Sequence, residues 1–414
     1  MQHPQPSRPQ LVYLAFGPAT YHQEACFSIV SALTHLGPAA AEAMDIQVYT
    51  DNPQPYAKLP VTVHLLDEAT RQAWNAPHGY HFRSKHVLLR QVLQQHPLAV
   101  LIDTDTFFRT SPLQLFARVA PGKLLCNAIG PRYGANQKCL LYRNLLSILQ
   151  ARGLADCQMP LVNSGVIGLT AEDASTLDRS IDMMDEFYPL AREAYTLEEF
   201  CLAVAAYRTL EVAECTDVIH HYWSRKAQFR AKIQAWLRKH GHDPLSQAAL
   251  ADVTLVNDQL PRPPALHRLG YKALSLTLPR HERQFARELL YGCYPYPNEF
   301  DLACAPAWWD KALENLNARH GQMQPEQLRQ CLRHPGLRLS LGERRKEIAV
   351  RMLRTTQGRY ARTPIALHHP CGSGQAREAG NAVDGTGFAG VRGHARSHRS
   401  VSEQGNCPTG SRPL

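Results

Sequence analysis

Two carboxylates one residue apart, Asp103 and Asp105, follow directly on four apolar residues, Ala99-Val-Leu-Ile102. An unbroken apolar run of this kind reads as a strand buried on both faces, as in a parallel sheet. Side chains two apart along a strand point the same way, so both carboxylates are expected to face one site at its end. Two adjacent anions repel unless a cation lies between them. A divalent metal carrying a phosphorylated ligand meets that need. Ligands of open α/β sheets gather at the carboxyl ends of the strands.

Other residues of suitable chemistry lie on both sides of this pair. His220 and His221 close a later strand-like stretch, and Lys226 follows them. Two carboxylates and an imidazole would hold Mn²⁺ or Mg²⁺, and a nearby lysine would add positive charge at a leaving phosphate. Neighbouring strand residues face opposite ways, so one histidine of the two is expected to be a ligand. Asp51 closes the run Ile46-Gln-Val-Tyr-Thr50, where it also reads as the Asx-turn residue before Asn52-Pro53. Arg83 and Lys85 open a helical pattern, and Glu198 and Glu199 fall in the first turn of another. Each of these four also reads as an ordinary surface or capping charge. Phe16 and Tyr13 read as core residues or as rings that stack on a base.

These residues must be positioned by strands and helices in alternation. Leu11–Phe16, Ile46–Asp51, Val61–Leu66 and the run from Ala99 read as strands. Tyr21–Leu36 and Phe82–Gln95 carry helical spacing, the first stopped by Gly37-Pro38. Lys123–Ile129 and Leu161–Leu169 read as strands, with a helix over Cys139–Gln150 between them. A long helix, kinked at Pro189, is expected over Ala171–Tyr195, then a shorter one over Leu197–Tyr207 and a single strand over Glu211–Tyr222. The alternation predicts an α/β fold with a mostly parallel sheet.

From Ala227 onward, strand signals thin out and helical patterns dominate, separated by breaks such as Pro261-Arg-Pro-Pro264 and Tyr294-Pro-Tyr-Pro297. The expected organisation is a catalytic domain over residues 1–235, a helical region over 236–356 and a tail over 357–414. The tail is rich in Gly, Ser, Arg and His and poor in aliphatic residues, so it buries too little to offset its ordering entropy. It reads as disordered, or as translated from a shifted reading frame.

The chain has 414 residues, 44% of them hydrophobic, with a formal net charge of +9. That is enough apolar content for a full core, and no apolar run is long enough to span a bilayer. The 11 cysteines are scattered with no C-x-x-C pair, which reads as reduced thiols. With no secretory signal pattern, the expected location is the cytoplasm, with peripheral contact at the inner membrane face favoured by the basic excess. Aromatic residues to stack bases are sparse in the tail, and no nucleic-acid partner is expected.

In order, the strand ending in Asp103-Thr-Asp105, the turn Asn163-Ser164-Gly165, the acidic helix start and the strand ending in His resemble a glycosyltransferase of GT-A fold. The order is similar to glycosyltransferase family 8, the group containing glycogenin and bacterial lipopolysaccharide glycosyltransferases. The resemblance covers about Leu11 to Phe229. It implies that Asp103, Asp105 and one of His220 and His221 hold a manganese ion bridging the phosphates of a nucleotide sugar. A lysine six residues after the histidine favours His220; a histidine-aromatic step favours His221. The resemblance further implies Asp51 near the base or ribose, and Arg83 and Lys85 at the nucleotide. It puts Asn163 and Ser164 on the sugar, with Gly165 permitting close backbone approach. Glu198 or Glu199 then lies near the transferred sugar. The family's Lys-Pro-Trp is Lys226-Ala-Gln228 here, so the phosphate loop departs from the pattern.

The expected activity is metal-dependent transfer from a nucleotide sugar, with a UDP-sugar as donor, to a saccharide or lipid-linked glycan. Two other classes compete: a GT-A-like module that holds nucleotide without turnover, and a metal-dependent nucleotidyltransferase. The latter needs a glycine-rich phosphate loop with a basic residue after the first strand, where Phe16-Gly-Pro-Ala19 offers one glycine and no lysine.

Overall fold

The computed structural model describes residues 8–37, 43–224, 226–321 and 325–360. The expectations for the polar leader before Arg8, for Pro38 and for the tail from residue 361 fall outside the described residues. Among the described residues nine strands form: β1 (Gln10–Ala15), β2 (Asp45–Thr50), β3 (Thr62–Leu65), β4 (Leu98–Ile102), β5 (Thr106–Phe108), β6 (Lys123–Arg132), β7 (Pro160–Thr170), β8 (Glu211–Glu214) and β9 (Ile219–His221). Seven build one sheet in the order β3-β2-β1-β4-β7-β6-β8, and β5 pairs with β9 in a separate two-stranded ribbon. The large sheet is mixed and mostly parallel: β7 runs antiparallel to both β4 and β6, and the other pairs are parallel.

β4 is apolar throughout because both of its faces are covered. Ala99, Val100, Leu101 and Ile102 have no exposed surface. Val12 and Leu101 point into one core, with Leu89, Phe187, Leu197 and Phe200 from the helices Arg83–Leu93, Ser175–Phe187 and Leu197–Ala206. Leu11, Tyr13, Val100 and Ile102 point into the other, with Phe27 and Val30 from the helix Ala19–Leu36. Gly37, at φ 73°, lets that helix stop where a side chain would be strained.

The strand order places a crevice. From β1 the chain winds outward to β2 and β3, then returns to the other side of β1 as β4. Connections leaving β1 and β4 therefore diverge, and the ends of these two strands form a topological switch point. In register, Tyr13 lies opposite Ile102, so Leu14–Phe16 run alongside Asp103–Asp105.

Past β9 the described residues are helical. The helix Lys226–His240 packs back on the helix Ala19–Leu36, with Trp236 edge-on to Phe27 at 5.5 Å between centroids. A further core of helices gathers Phe285, Leu289, Trp308, Trp309, Leu313 and Leu337. The aromatic pair Trp308-Trp309 is thus interior to a helical layer. No helix among the described residues is long and apolar enough to cross a membrane.

Four expectations are corrected. The stretch Glu211–Tyr222 forms two strands in different sheets. A turn at Cys215–Val218 separates them, closed by the Val218 amide donating to the Cys215 carbonyl at 3.0 Å. The Arg118 guanidinium clasps Asp217 in that turn at 2.6 and 2.7 Å. The long helix over Ala171–Tyr195 is shorter, Ser175–Phe187, because Pro189 turns the chain into a single 3₁₀ turn at Tyr188–Leu190. Cys139 and Cys157 are disulfide-bonded, while Cys26, Cys126, Cys201 and Cys215 are free. The segment holding Cys157 is drawn to the start of the helix Leu140–Ala151 because the Gly134 amide donates to the Cys157 carbonyl at 3.0 Å. The last helix, Arg344–Tyr360, runs four residues into the segment read as tail.

Candidate active site

Asp103 and Asp105 lie just beyond β4, and the chain bends between them rather than continuing as a strand. Thr106 closes the bend, its hydroxyl donating to the Asp103 carbonyl at 2.8 Å. The bend brings both carboxylates to one cavity of about 250 Å³ at the switch point. Antiparallel pairing of β7 with β4 sets Asn163–Gly165 beside them, and the Asp103 amide donates to the Gly165 carbonyl at 3.0 Å. Pairing of β5 with β9 puts Thr106 opposite His221, and the Tyr222 amide donates to the Asp105 carbonyl at 3.1 Å.

Strand parity then separates the two histidines. His221 Nε2 lies 3.3 Å from an Asp105 oxygen and 3.9 Å from an Asp103 oxygen. His220 points the other way, to Asp258 at 2.9 Å and to the Phe107 ring. Of the two candidates, His220 has its ring turned from the carboxylates. Asp103, Asp105 and His221 each offer one ligand atom, and these atoms lie within 4.8 Å of one another. His221 Nδ1 is 2.9 Å from Asn163 Oδ1, which already accepts the Gly165 amide at 3.1 Å. That acceptor requires a proton on Nδ1 and leaves Nε2 as the ring nitrogen available to a metal. Two hard carboxylate oxygens and one imidazole nitrogen fit a divalent cation such as Mn²⁺ or Mg²⁺.

Cations surround the carboxylates on both sides. Lys85, in the first turn of the helix Arg83–Leu93, is buried and bonded to Asp103 at 2.9 Å, Glu198 at 2.9 Å and the Ser164 carbonyl at 3.0 Å. Burial pulls its pKa down, but Asp103 and Glu198 outweigh that and hold the ammonium charged. Lys226 opens the helix Lys226–His240 and meets Asp105 at 2.7 Å. Burial raises the Asp105 carboxyl, yet His221 and Lys226 outweigh it and hold Asp105 well below the ordinary range. Burial lowers His221, and Asp105 reverses this, so the net shift is upward.

Glu198 and Glu199 start the helix Leu197–Ala206, where the helix dipole favours acidic residues. Glu199 accepts from the Asn163 side-chain amide at 3.0 Å and the Ser164 backbone amide at 3.2 Å. Burial, then the Glu198 charge beside it, pushes Glu199 up to about 8. Ser164 hydrogen-bonds Glu198 through its hydroxyl, and Tyr80 accepts the Glu198 amide at 3.1 Å.

Two expected nucleotide contacts lie elsewhere. Arg83 is held by Asp185 at 2.7 and 2.9 Å and by the Trp74 carbonyl at 2.9 Å, which turns it from the cavity. Asp51 does not line the cavity; it accepts the Gly17 amide at 3.0 Å and meets His22 at 3.3 Å, joining the ends of β1 and β2. Phe16 does line the cavity, with the Arg71 guanidinium 5.4 Å above its ring. Tyr13 is fully buried, its hydroxyl bonded to Ser28.

Sequence reasoning missed the aromatic rim. Tyr21, Phe82 and Tyr195 line the cavity with Trp223. Tyr195 is 69% exposed and meets Phe82 edge-on at 5.2 Å. These rings come from unrelated loops and helix starts, and no spacing rule connects them.

Fold and site together define an α/β protein with a charged, metal-suited crevice at the switch point of its sheet. No protein-family model matches the chain, and no curated protein matches it. Among solved structures, the chain is similar to the apo WbbM bifunctional glycosyltransferase, at 12% identity and a TM-score of 0.34. That match covers 51% of this chain and 39% of the other protein.

Proposed function

We propose that the protein is a metal-dependent glycosyltransferase of GT-A type, which moves a sugar from a nucleotide sugar to a saccharide or lipid-linked glycan acceptor. The preferred donor is a UDP-sugar. The observation that carries this reading is the convergence of Asp103, Asp105 and His221 on one cavity at the switch point. The order of motifs, which resembles that of glycosyltransferase family 8, supports the same reading.

A divalent cation held by Asp103, Asp105 and His221 would supply Lewis-acid stabilisation of the leaving diphosphate. The chain's own groups complete the setting. Lys226 lies at the rim on Asp105 and adds positive charge beside the phosphates. Lys85 balances Asp103 and Glu198 from below, so the carboxylates keep their places without cation from solvent. Asn163 fixes the His221 ring and, with Ser164, holds Glu199. Burial and the Glu198 charge favour the neutral form of Glu199, which lines the cavity and could donate a hydrogen bond to a sugar hydroxyl. The aromatic rings at the mouth give flat apolar faces on which a sugar or base can stack.

The test is a screen of nucleotide sugars for Mn²⁺-dependent release of nucleoside diphosphate, with Asp105→Asn as control. Metal-dependent release that the variant lacks is the expected result. UDP binding that is the same with and without Mn²⁺ would overturn the metal site. Metal-dependent binding with no turnover on any donor would leave a nucleotide-holding module instead.

A further inference from the structure

Among the described residues, the ring contacts and burial of the helix Ala265–Ser275 lie along one side. His267 meets the Tyr294 ring at 5.0 Å, Tyr271 lies 6.1 Å from Tyr291, and Ser275 is buried. On the opposite side Leu266, Leu269 and Leu276 are 82%, 64% and 58% exposed. With Ala273 they recur at spacings of three and four, which makes one continuous apolar stripe. Scattered exposed leucines need no explanation, but a stripe along an outward helix face does.

The surrounding charge says what covers it. Arg268 is exposed on the same helix, and Arg262 and Arg280 are exposed at its two ends. From Gln259 through His281 the chain carries no carboxylate. A two-fold contact between copies would set these cations against themselves. Apolar side chains flanked by cations instead match an interface helix, which buries its apolar face at the boundary of headgroups and acyl chains.

We propose that the helix Ala265–Ser275 docks the protein onto an anionic lipid surface, with Leu266, Leu269 and Leu276 entering the bilayer boundary and the three arginines meeting headgroup charge. This stands independently of the glycosyltransferase reading. It concerns binding alone, so its failure and the failure of the catalytic site are separable.

The experiment co-sediments the full chain with vesicles of phosphatidylcholine alone or of equal parts phosphatidylcholine and phosphatidylglycerol. The paired variants are Leu266→Gln with Leu269→Gln, and Arg262→Gln with Arg268→Gln. Glutamine keeps helix propensity, and the replaced side chains are exposed, so both variants should melt as the wild type does. The wild type should bind the anionic vesicles and release them as salt is raised. The leucine pair should weaken that binding about tenfold or more, and the basic pair should reduce the preference for anionic lipid. Several results would overturn the proposal: no binding to either vesicle, equal binding to both, or anionic binding that the leucine pair leaves unchanged. A concentration-dependent dimer that the leucine pair dissociates, without vesicle binding, would assign the face to a second copy.

Discussion

The ring of His221 lies against the bare α-carbon of Gly165. A Cβ built there would come within 2.7 Å of Cγ and Cε1 and overlap Nδ1. Gly165 is not among the glycines with positive φ, so the site needs its missing side chain and not its backbone freedom. Gly165→Ala should therefore push the imidazole off its bond to Asn163. Overpacking of this kind costs about 1–3 kcal/mol. Metal affinity should fall roughly 10- to 100-fold, as when an orienting group is lost. Calorimetric titration with Mn²⁺ beside a melting curve checks both; wild-type affinity in the variant would show that the ring does not hold metal.

Replacing the two histidines should give different losses. His221→Ala removes the imidazole beside Asp105, so Mn²⁺ and UDP binding should fall together, by about 100-fold or more. His220→Ala removes a bond to Asp258 on the far side of β9. It should cost roughly 1–2 kcal/mol of stability and leave Mn²⁺ affinity within about twofold. Titrating both variants decides between them, and equal loss of metal from each would contradict the parity of β9.

Lys85 serves three acceptors in a buried position, so Lys85→Met should leave Asp103 and Glu198 without their shared cation. Removing one partner of a buried charge cluster costs roughly 3–5 kcal/mol. Chemical denaturation would read it. A loss of under about 1 kcal/mol would mean that the lysine acts as a surface charge does.

Glu199 makes stability depend on pH with a definite sign. Its carboxyl is raised from 4.5 to about 8, so the folded state prefers the neutral acid. The stabilisation is complete below the unfolded value near 4.5 and is lost as pH climbs through about 8. Glu199→Gln keeps a neutral group at every pH. The variant should gain on the wild type by up to roughly 4 kcal/mol between pH 5 and pH 9. Denaturation of both proteins at the two pH values gives the difference, and a constant difference would show that Glu199 titrates as an ordinary carboxylate.

The chain itself carried the α/β class and the place of its carboxylates. A strand covered on both faces must be apolar along its length, so Ala99–Ile102 announced β4 and its end announced Asp103 and Asp105. Helical spacing likewise carried Arg83–Leu93 and Leu197–Ala206, and with them the two glutamates of the second helix. What the sequence left open depended on contacts between distant segments. Asp51, Arg83 and Lys85 were equal candidates until folding gave Arg83 to Asp185, Asp51 to Gly17 and His22, and Lys85 to the carboxylates. Residues two apart on a helix point about 200° apart, so one faces the crevice and the other cannot. His220 and His221 were indistinguishable until the register of β9 on β5 turned one ring in and the other out. The aromatic rim and the Cys139–Cys157 bond needed loops brought together by the core. Periodicity reports which face of an element is buried; only the tertiary structure decides which other element that face meets.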